Sequence, residues 1–136
     1  MKPIQLAGCV IVDDYDRVLL IHRGTDRFTH WELPGGKIEP AETAEVAAVR
    51  ELKEELGVDV WLVKALGNET FSEGETTYQY HWFQAVITSG ELAIQEPEIF
   101  DDFDYVELED MPSLALSSNM LILYPKIYSG EIALEH

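Results

Sequence analysis

Three glutamates spaced i, i+3 and i+4, at Glu51, Glu54 and Glu55, crowd the end of a segment that carries the marks of a single helix. Thr43 can cap its start, and Gly57 stands where a left-handed backbone ends a helix at little cost. At 100° per residue Val46, Val49, Leu52 and Leu56 fall on one side of residues 44–56. Ala44, Ala47, Ala48 and the three glutamates fall on the other. Three alanines below three carboxylates make a low surface on which other backbone can approach closely. Like charges on one helix face oppose an isolated helix by a few tenths of a kcal/mol per pair, so the carboxylates need compensation. A hard divalent cation provides it, because Mg²⁺ takes carboxylate oxygens, keeps several waters and adds substrate phosphates to its shell. A solvated acidic face would have the same spacing, so the surroundings must decide.

Nine basic residues against 26 acidic ones give a net charge of -17. Such a chain repels nucleic-acid backbones and anionic membranes, so neither polymer nor membrane partner is expected. No apolar run approaches the roughly 20 residues of a membrane-spanning helix, and the first residues lack a signal peptide's order of segments, so a cytoplasmic location is expected. Cys9 is the single cysteine; it cannot close an intrachain disulfide, and its apolar context suits a small buried thiol without a catalytic role. His22, His30 and His81 have no close ligand spacing, which argues against a histidine zinc site. With no repeat or linker in 136 residues, one domain over residues 1–133 is expected, as a monomer or homodimer. Leu134, Glu135 and His136 look like the start of a vector-encoded histidine tag and are set aside from the fold.

Along the chain, residues 4–12 and 17–23 read as strands joined by the turn residues Asp13 to Asp16, pairing as a hairpin. Residues 24–40 read as a long functional loop around a short apolar segment at Trp31 to Leu33. Segments 60–65, 66–71 and 76–88 predict an antiparallel sheet, with turns at 72–75 and at Ser89-Gly90. Residues 105–108 read as a further strand. Ser118 would cap a last helix running to Tyr124, where Pro125 kinks or ends it.

The glutamates lie in a longer pattern. Gly36, five residues, Glu42, seven residues and then Arg50-Glu51-Leu52-Lys53-Glu54-Glu55-Leu56-Gly57-Val58 match G-x5-E-x7-R-E-U-x-E-E-x-G-U, with U aliphatic, at every specified position. Here the sequence resembles the Nudix hydrolases, and Trp31 to Glu39 resembles that family's approach to its signature. The resemblance implies an α/β fold, an α/β/α sandwich with a mixed sheet and the signature loop-helix. It also implies Mg²⁺ or Mn²⁺ held by Glu51, Glu54, Glu55 and a carbonyl of the Gly35-Gly36 turn, where glycine leaves room for close backbone approach. The implied substrate is a nucleoside diphosphate linked to another moiety, cleaved by water attack on phosphorus.

Further roles follow from the resemblance and from residue chemistry. Arg50 precedes Glu54 by one turn and can hold it in position, as its family counterpart does. Glu42, just before the helix, is read as mainly structural, favoured by the helix dipole. Arg23 is the favoured phosphate contact, because an arginine at a similar strand end serves MutT-like members; Arg27 and Lys37 are the other cations near the site. Asn119, near the start of the last helix, can both donate and accept, as reading a purine edge requires, and is equally an ordinary helix cap. Tyr78, Tyr80 and Trp82 alternate along a strand and could either stack a base or fill the core. Glu96, or else Glu98, is a candidate general base from a later loop, with Pro97 biasing Glu96 toward extended backbone.

The expected activity is divalent-metal-dependent hydrolysis of a phosphoanhydride, with a nucleoside triphosphate giving monophosphate and pyrophosphate favoured, oxidised purine nucleotides included. The alternatives are an ADP-ribose, dinucleoside polyphosphate or sugar-nucleotide hydrolase, or a non-catalytic nucleotide sensor. The intact glutamates argue against the sensor.

Overall fold

A computed structural model describes residues 2–135. Its elements are strands β1 (Ile4–Val10), β2 (Val18–Gly24), β3 (Thr29–Glu32) and β4 (Gly35–Lys37), helix α1 (Ala44–Leu56), strands β5 (Asp59–Glu73), β6 (Thr76–Ser89) and β7 (Phe100–Val106), a 3₁₀ turn at Leu108–Ser113, and helix α2 (Ser118–Tyr128). One sheet has the order β4-β1-β6-β5 and the other β3-β2-β7. The first is mixed: β1 runs parallel to β6 and antiparallel to β4.

Period-two alternation along the strands makes two cores. Ala7 and Cys9 of β1, Leu19 and Ile21 of β2, and Phe83 and Ala85 of β6 pack with Ala47, Ala48, Leu52 and Leu56 of α1. The intervening residues, Val10, Val18, Leu20, Tyr80 and Trp82, pack with Met120, Leu123 and Ile127 of α2. Because successive strand side chains point to opposite faces, each sheet buries one set under each helix. The result is the expected α/β/α sandwich. Among the described residues no helix is long and apolar enough to cross a membrane.

Several elements differ from the sequence reading. Strands β1 and β2 do not form a hairpin: after the turn they share one bridge, Val12 to Val18, and the bond from Leu19 N–H to the Ile11 carbonyl. Both edges of β1 are already filled by β4 and β6, so β2 diverges into the second sheet. The long loop at 24–40 contains β3 and β4. The segments 60–65 and 66–71 are one strand, β5, interrupted by register shifts at 62/64 and 65/67, the second beside Gly67 with φ of 112°. The strand expected at 105–108 lies earlier, as β7, and Leu108 starts the 3₁₀ turn. Ser117, not Ser118, caps α2, accepting from Met120 N–H at 3.3 Å, and the helix runs through Pro125 to Tyr128. Pro125 forfeits the bond to the carbonyl of Leu121, an exposed residue, so the lost bond falls where water can replace it.

The signature helix has the limits and the closely packed alanine side that its sequence predicts. Thr43 caps α1 and Gly57 ends it at φ of 74°, as expected, but Val46 is 55% exposed while Ala47, Ala48, Leu52, Glu55 and Leu56 are buried. The low alanine surface is what meets β1, with the Cys9 thiol 4.0 Å from the Ala48 carbonyl. That docking carries Glu55, on the same face, into the interior. The tail also joins the fold: Leu134 packs on the α2 core, and Gln84 pairs its amide with the backbone N–H and carbonyl of Glu135, at 2.8 and 2.7 Å. Of the three residues set aside as a tag, His136 lies outside the described residues.

Candidate active site

The pairing of β1 with β4 sets Gly36 opposite Ala7 and Gly35 opposite Gly8, beside the C-terminal half of α1. The glycines here answer a shortage of space, since neither has positive φ. A Cβ on Gly36 would lie 2.7 Å from the Glu51 carboxylate, and one on Gly35 would lie 2.6 Å from both the Gly8 Cα and the Tyr80 hydroxyl. The Gly35 N–H donates to Glu55 Oε1 at 2.9 Å. Glycine, helix and buried carboxylate are therefore tied together directly.

Burial, reinforced by Glu51, pushes the Glu55 carboxyl well above its ordinary range. Burial also raises Glu51. Among the described residues only the Gly35 N–H donates to Glu55, whereas Arg50 supports the other two: its Nη1 lies 3.0 Å from both Glu51 Oε1 and Glu54 Oε2. Arg50 is itself clamped, Nε and Nη2 donating to the two Glu42 oxygens at 2.7 and 2.9 Å and Nη2 to the Lys37 carbonyl at 3.0 Å. The expected hold of Arg50 on Glu54 is present, within a wider network. Glu42 does more than face a dipole: it is the planar fork's bidentate partner.

The carboxylates line a cleft of about 430 Å³, with Gly35, Gly36, Glu51, Glu54, Glu55 and Glu96 in its wall. Glu96 therefore joins the predicted glutamates, while Glu98 is exposed and does not line the cleft. Among the described residues no three His, Cys, Asp or Glu side chains already converge as a metal-binding group. A second cleft, of about 390 Å³, is lined by Phe28, Leu33, Phe71, Tyr78, Ser117 and Asn119. Leu6, Arg23, Glu32, Lys37 and Tyr80 line both clefts and form the waist between them.

At this waist Arg23 does not stand alone. Its Nε lies 2.5 Å from Glu32 Oε1, its guanidinium stacks 4.8 Å from the Phe100 ring centroid, and His30 Nε2 lies 3.1 Å from the same Glu32 oxygen. Against the opposing effect of burial, His30 and Arg23 keep the Glu32 carboxyl below its ordinary range. Glu32 was missed in the sequence, where a lone acid inside the apolar Trp31-Glu32-Leu33 segment was its one signal. Lys37 lies exposed at the waist.

Asn119 is buried, and its Oδ1 accepts from Trp82 Nε1 at 2.7 Å. Since Ser117 is the cap, the capping role falls away. Since an indole N–H only donates, the amide oxygen is turned toward Trp82, and the amide N–H groups are the function of Asn119 left to donate to a ligand. Of the aromatic stripe, Tyr80 and Trp82 are core residues of the α2 side, as the core reading expects, and Tyr78 and Tyr80 also line the second cleft. Cys9 is buried, and burial followed by Glu55 pushes its thiol up to about 12, in keeping with an inert residue.

Comparison with known proteins agrees with this geometry. The chain is 43% identical to an 8-oxo-dGTP diphosphatase of Proteus vulgaris over 61 residues, 43% of this chain and 54% of that protein, so it spans about half of that relative's length. It is 31% identical to the nucleoside triphosphatase NudI of Klebsiella pneumoniae over 124 residues, covering 81% of this chain and 86% of that one. The crystal structure of a MutT NUDIX hydrolase from Burkholderia pseudomallei superposes with a TM-score of 0.84 at 28% identity, over 93% of this chain and 99% of that chain. The NUDIX domain itself matches residues 3–127, and with the glycine strand, the Arg50 clamp and the glutamate helix in place, the chain belongs to the Nudix family.

Proposed function

We propose that the chain hydrolyses a nucleoside triphosphate to the monophosphate and pyrophosphate with a divalent metal ion. The observation that carries this reading is the pair of clefts joined at one waist: a carboxylate-walled cleft for metal and phosphates, and a cleft lined by Phe28, Leu33, Phe71, Tyr78 and the Asn119 amide for a base. The names of the relatives support it, one an 8-oxo-dGTP diphosphatase and one a nucleoside triphosphatase.

The donor set fits Mg²⁺ or Mn²⁺. It is all oxygen, it includes the buried Glu55 carboxylate with one hydrogen bond, and Gly36 leaves Glu51 the space a Cβ would fill. Glu51, Glu54, Glu55 and the Gly35-Gly36 backbone would hold the ion. When bound, it neutralises phosphate charge and lowers the pKa of water.

The protein's own groups do the rest. Arg50, locked by Glu42, fixes Glu51 and Glu54 at the angle from which they face the cleft. Lys37 and Arg23 bring positive charge to the waist, in a chain whose net charge of -17 otherwise repels a polyphosphate. Glu96 stands in the wall apart from α1 and takes the proton from attacking water, a role worth about 10²–10⁴-fold. The Asn119 amide donates to a base carbonyl, favouring 6-oxo purines, oxidised ones included.

The deciding experiment is a panel of nucleoside triphosphates, oxidised purines among them, with ADP-ribose, dinucleoside polyphosphates and sugar nucleotides, assayed with Mg²⁺ and Mn²⁺. Monophosphate and pyrophosphate from a triphosphate are expected; turnover confined to the other classes overturns the substrate assignment. In the same assay Glu96→Gln loses at least about a hundredfold in turnover together with the acidic limb of its pH–rate profile, and Glu98→Gln keeps both. The reverse pattern would move the base to Glu98.

A further inference from the structure

Tyr80 is 6% exposed, and no side-chain hydrogen bond among the described residues involves its hydroxyl. Yet among the described residues no side-chain nitrogen or oxygen is both fully buried and without a partner. The hydroxyl oxygen must therefore reach open space, and the space it borders is the cleft system, since Tyr80 lines both clefts. Its placement is built: Gly8 and Gly35, opposite each other on β1 and β4, both lack the Cβ that would collide with this oxygen. Two strands thus give up side chains around one phenol.

The waist offers a ligand few groups. Leu6 is apolar, and Arg23 and Glu32 are engaged with each other. Lys37 and the Tyr80 hydroxyl remain. A cation suits phosphate oxygens, whereas a neutral group that both donates and accepts suits another hydroxyl. With the base in the apolar cleft and the phosphates among the carboxylates, the atoms that cross the waist are those of the sugar.

We propose that the Tyr80 hydroxyl is a sugar-contacting group, hydrogen-bonded to a ribose hydroxyl of the nucleotide as it spans the two clefts. This rests on the nucleotide reading above. Tyr80→Phe keeps the ring and its stacked contact with Trp82, at 6.5 Å between centroids, so it should fold with an unchanged melting temperature.

The test compares wild type and Tyr80→Phe on matched ribo-, 2′-deoxy- and 3′-deoxynucleoside triphosphates, reading kcat and KM separately. Calorimetric binding of the corresponding monophosphates supplies a second readout. The expected result is a KM raised about three- to tenfold by Tyr80→Phe on a substrate bearing the contacted hydroxyl, with no change on the analogue lacking it. The monophosphates should show the same selective loss. An equal loss on all three sugars, or none, overturns the proposal, because a structural defect does not distinguish sugar hydroxyls. Selective loss in binding by a protein that cleaves no triphosphate would uphold the sugar contact and overturn the reaction assigned above.

Discussion

The two clefts differ in how far along the chain their walls are gathered. Apart from Glu96 and the waist, the carboxylate cleft draws its polar wall from residues 35–55, a glycine strand and the helix after it. The apolar cleft takes Phe28 from the loop before β3, Phe71 from β5, Tyr78 from β6 and Asn119 from α2. In the first, carboxylates are tied through Arg50, Glu42 and Gly35; in the second, one indole-amide bond orients Asn119. On the proposed reading, chemistry rests on a local polar network and selectivity on long-range packing. Substitutions should separate the two.

The largest effect is expected at Glu55. Glu55→Gln should lower turnover about a thousandfold, by removing a ligand charge from a site whose metal supplies several kcal/mol of transition-state stabilisation. Its stability should move oppositely. The folded carboxyl is raised above its unfolded value near 4.5, so its contribution is full below that pH and is lost as pH rises through the folded value. Metal-free wild type should therefore melt lower at pH 7 than at pH 5, with Glu51 acting in the same sense. Glu55→Gln should flatten that slope and melt higher than wild type at pH 7 without metal. Melting curves of the metal-free proteins from pH 4 to 8 check this; a variant less stable than wild type at pH 7 would show that ionised Glu55 is well accommodated.

Arg50→Lys sharpens the local side of the comparison. Lysine keeps the charge but cannot bridge Glu42 bidentately while also reaching Glu51 and Glu54. Turnover should fall about 10–100-fold, with a higher metal concentration needed for half-activity. Metal titration of activity would settle it, and a lysine variant with unaltered metal dependence would mean that the clamp does not position the ligands.

The smallest expected effect lies in the apolar cleft. Asn119→Ala leaves the Trp82 N–H buried without its partner, at a cost of about 1–3 kcal/mol in stability. It should also change the ranking of 6-oxo against 6-amino purine substrates about tenfold. Asn119→Asp keeps an acceptor for the indole while removing the donor, and should alter the ranking with less loss of stability. Equal losses on every purine in both variants would reduce Asn119 to a packing role.

This division also decides what the sequence made legible. The helix limits, the low alanine surface and the glutamate spacing were readable because capping, periodicity and signature all lie within one short stretch. The inward side of that helix is the alanine side, because Ala47 and Ala48 fit against β1 while Val46, the more apolar residue, is left exposed. Apolar character alone does not report how closely a strand can approach. The engagement of Glu32 and the orientation of Asn119 were hidden for another reason: each depends on a partner brought in by the sheets, with Trp82 lying 37 residues from Asn119. The β1–β2 hairpin failed likewise, because the competitors for the β1 edges lie far along the chain or in a stretch that reads as loop.

The parallel pairing of β1 with β6 has a consequence for how the protein is made. Ile4 pairs with Tyr78 and Val10 with Gln84, so the central strand of the first sheet is synthesised long before its parallel neighbour exists. At about 5–20 residues per second, β1 waits roughly 4–15 s on the ribosome for that partner. During the wait β4 can cover only the stretch from Leu6 to Gly8, leaving the other edge of an apolar strand open to any passing chain. Chaperone cover of the nascent chain during this wait should therefore raise the yield of folded protein, and slower synthesis without it should lower the yield.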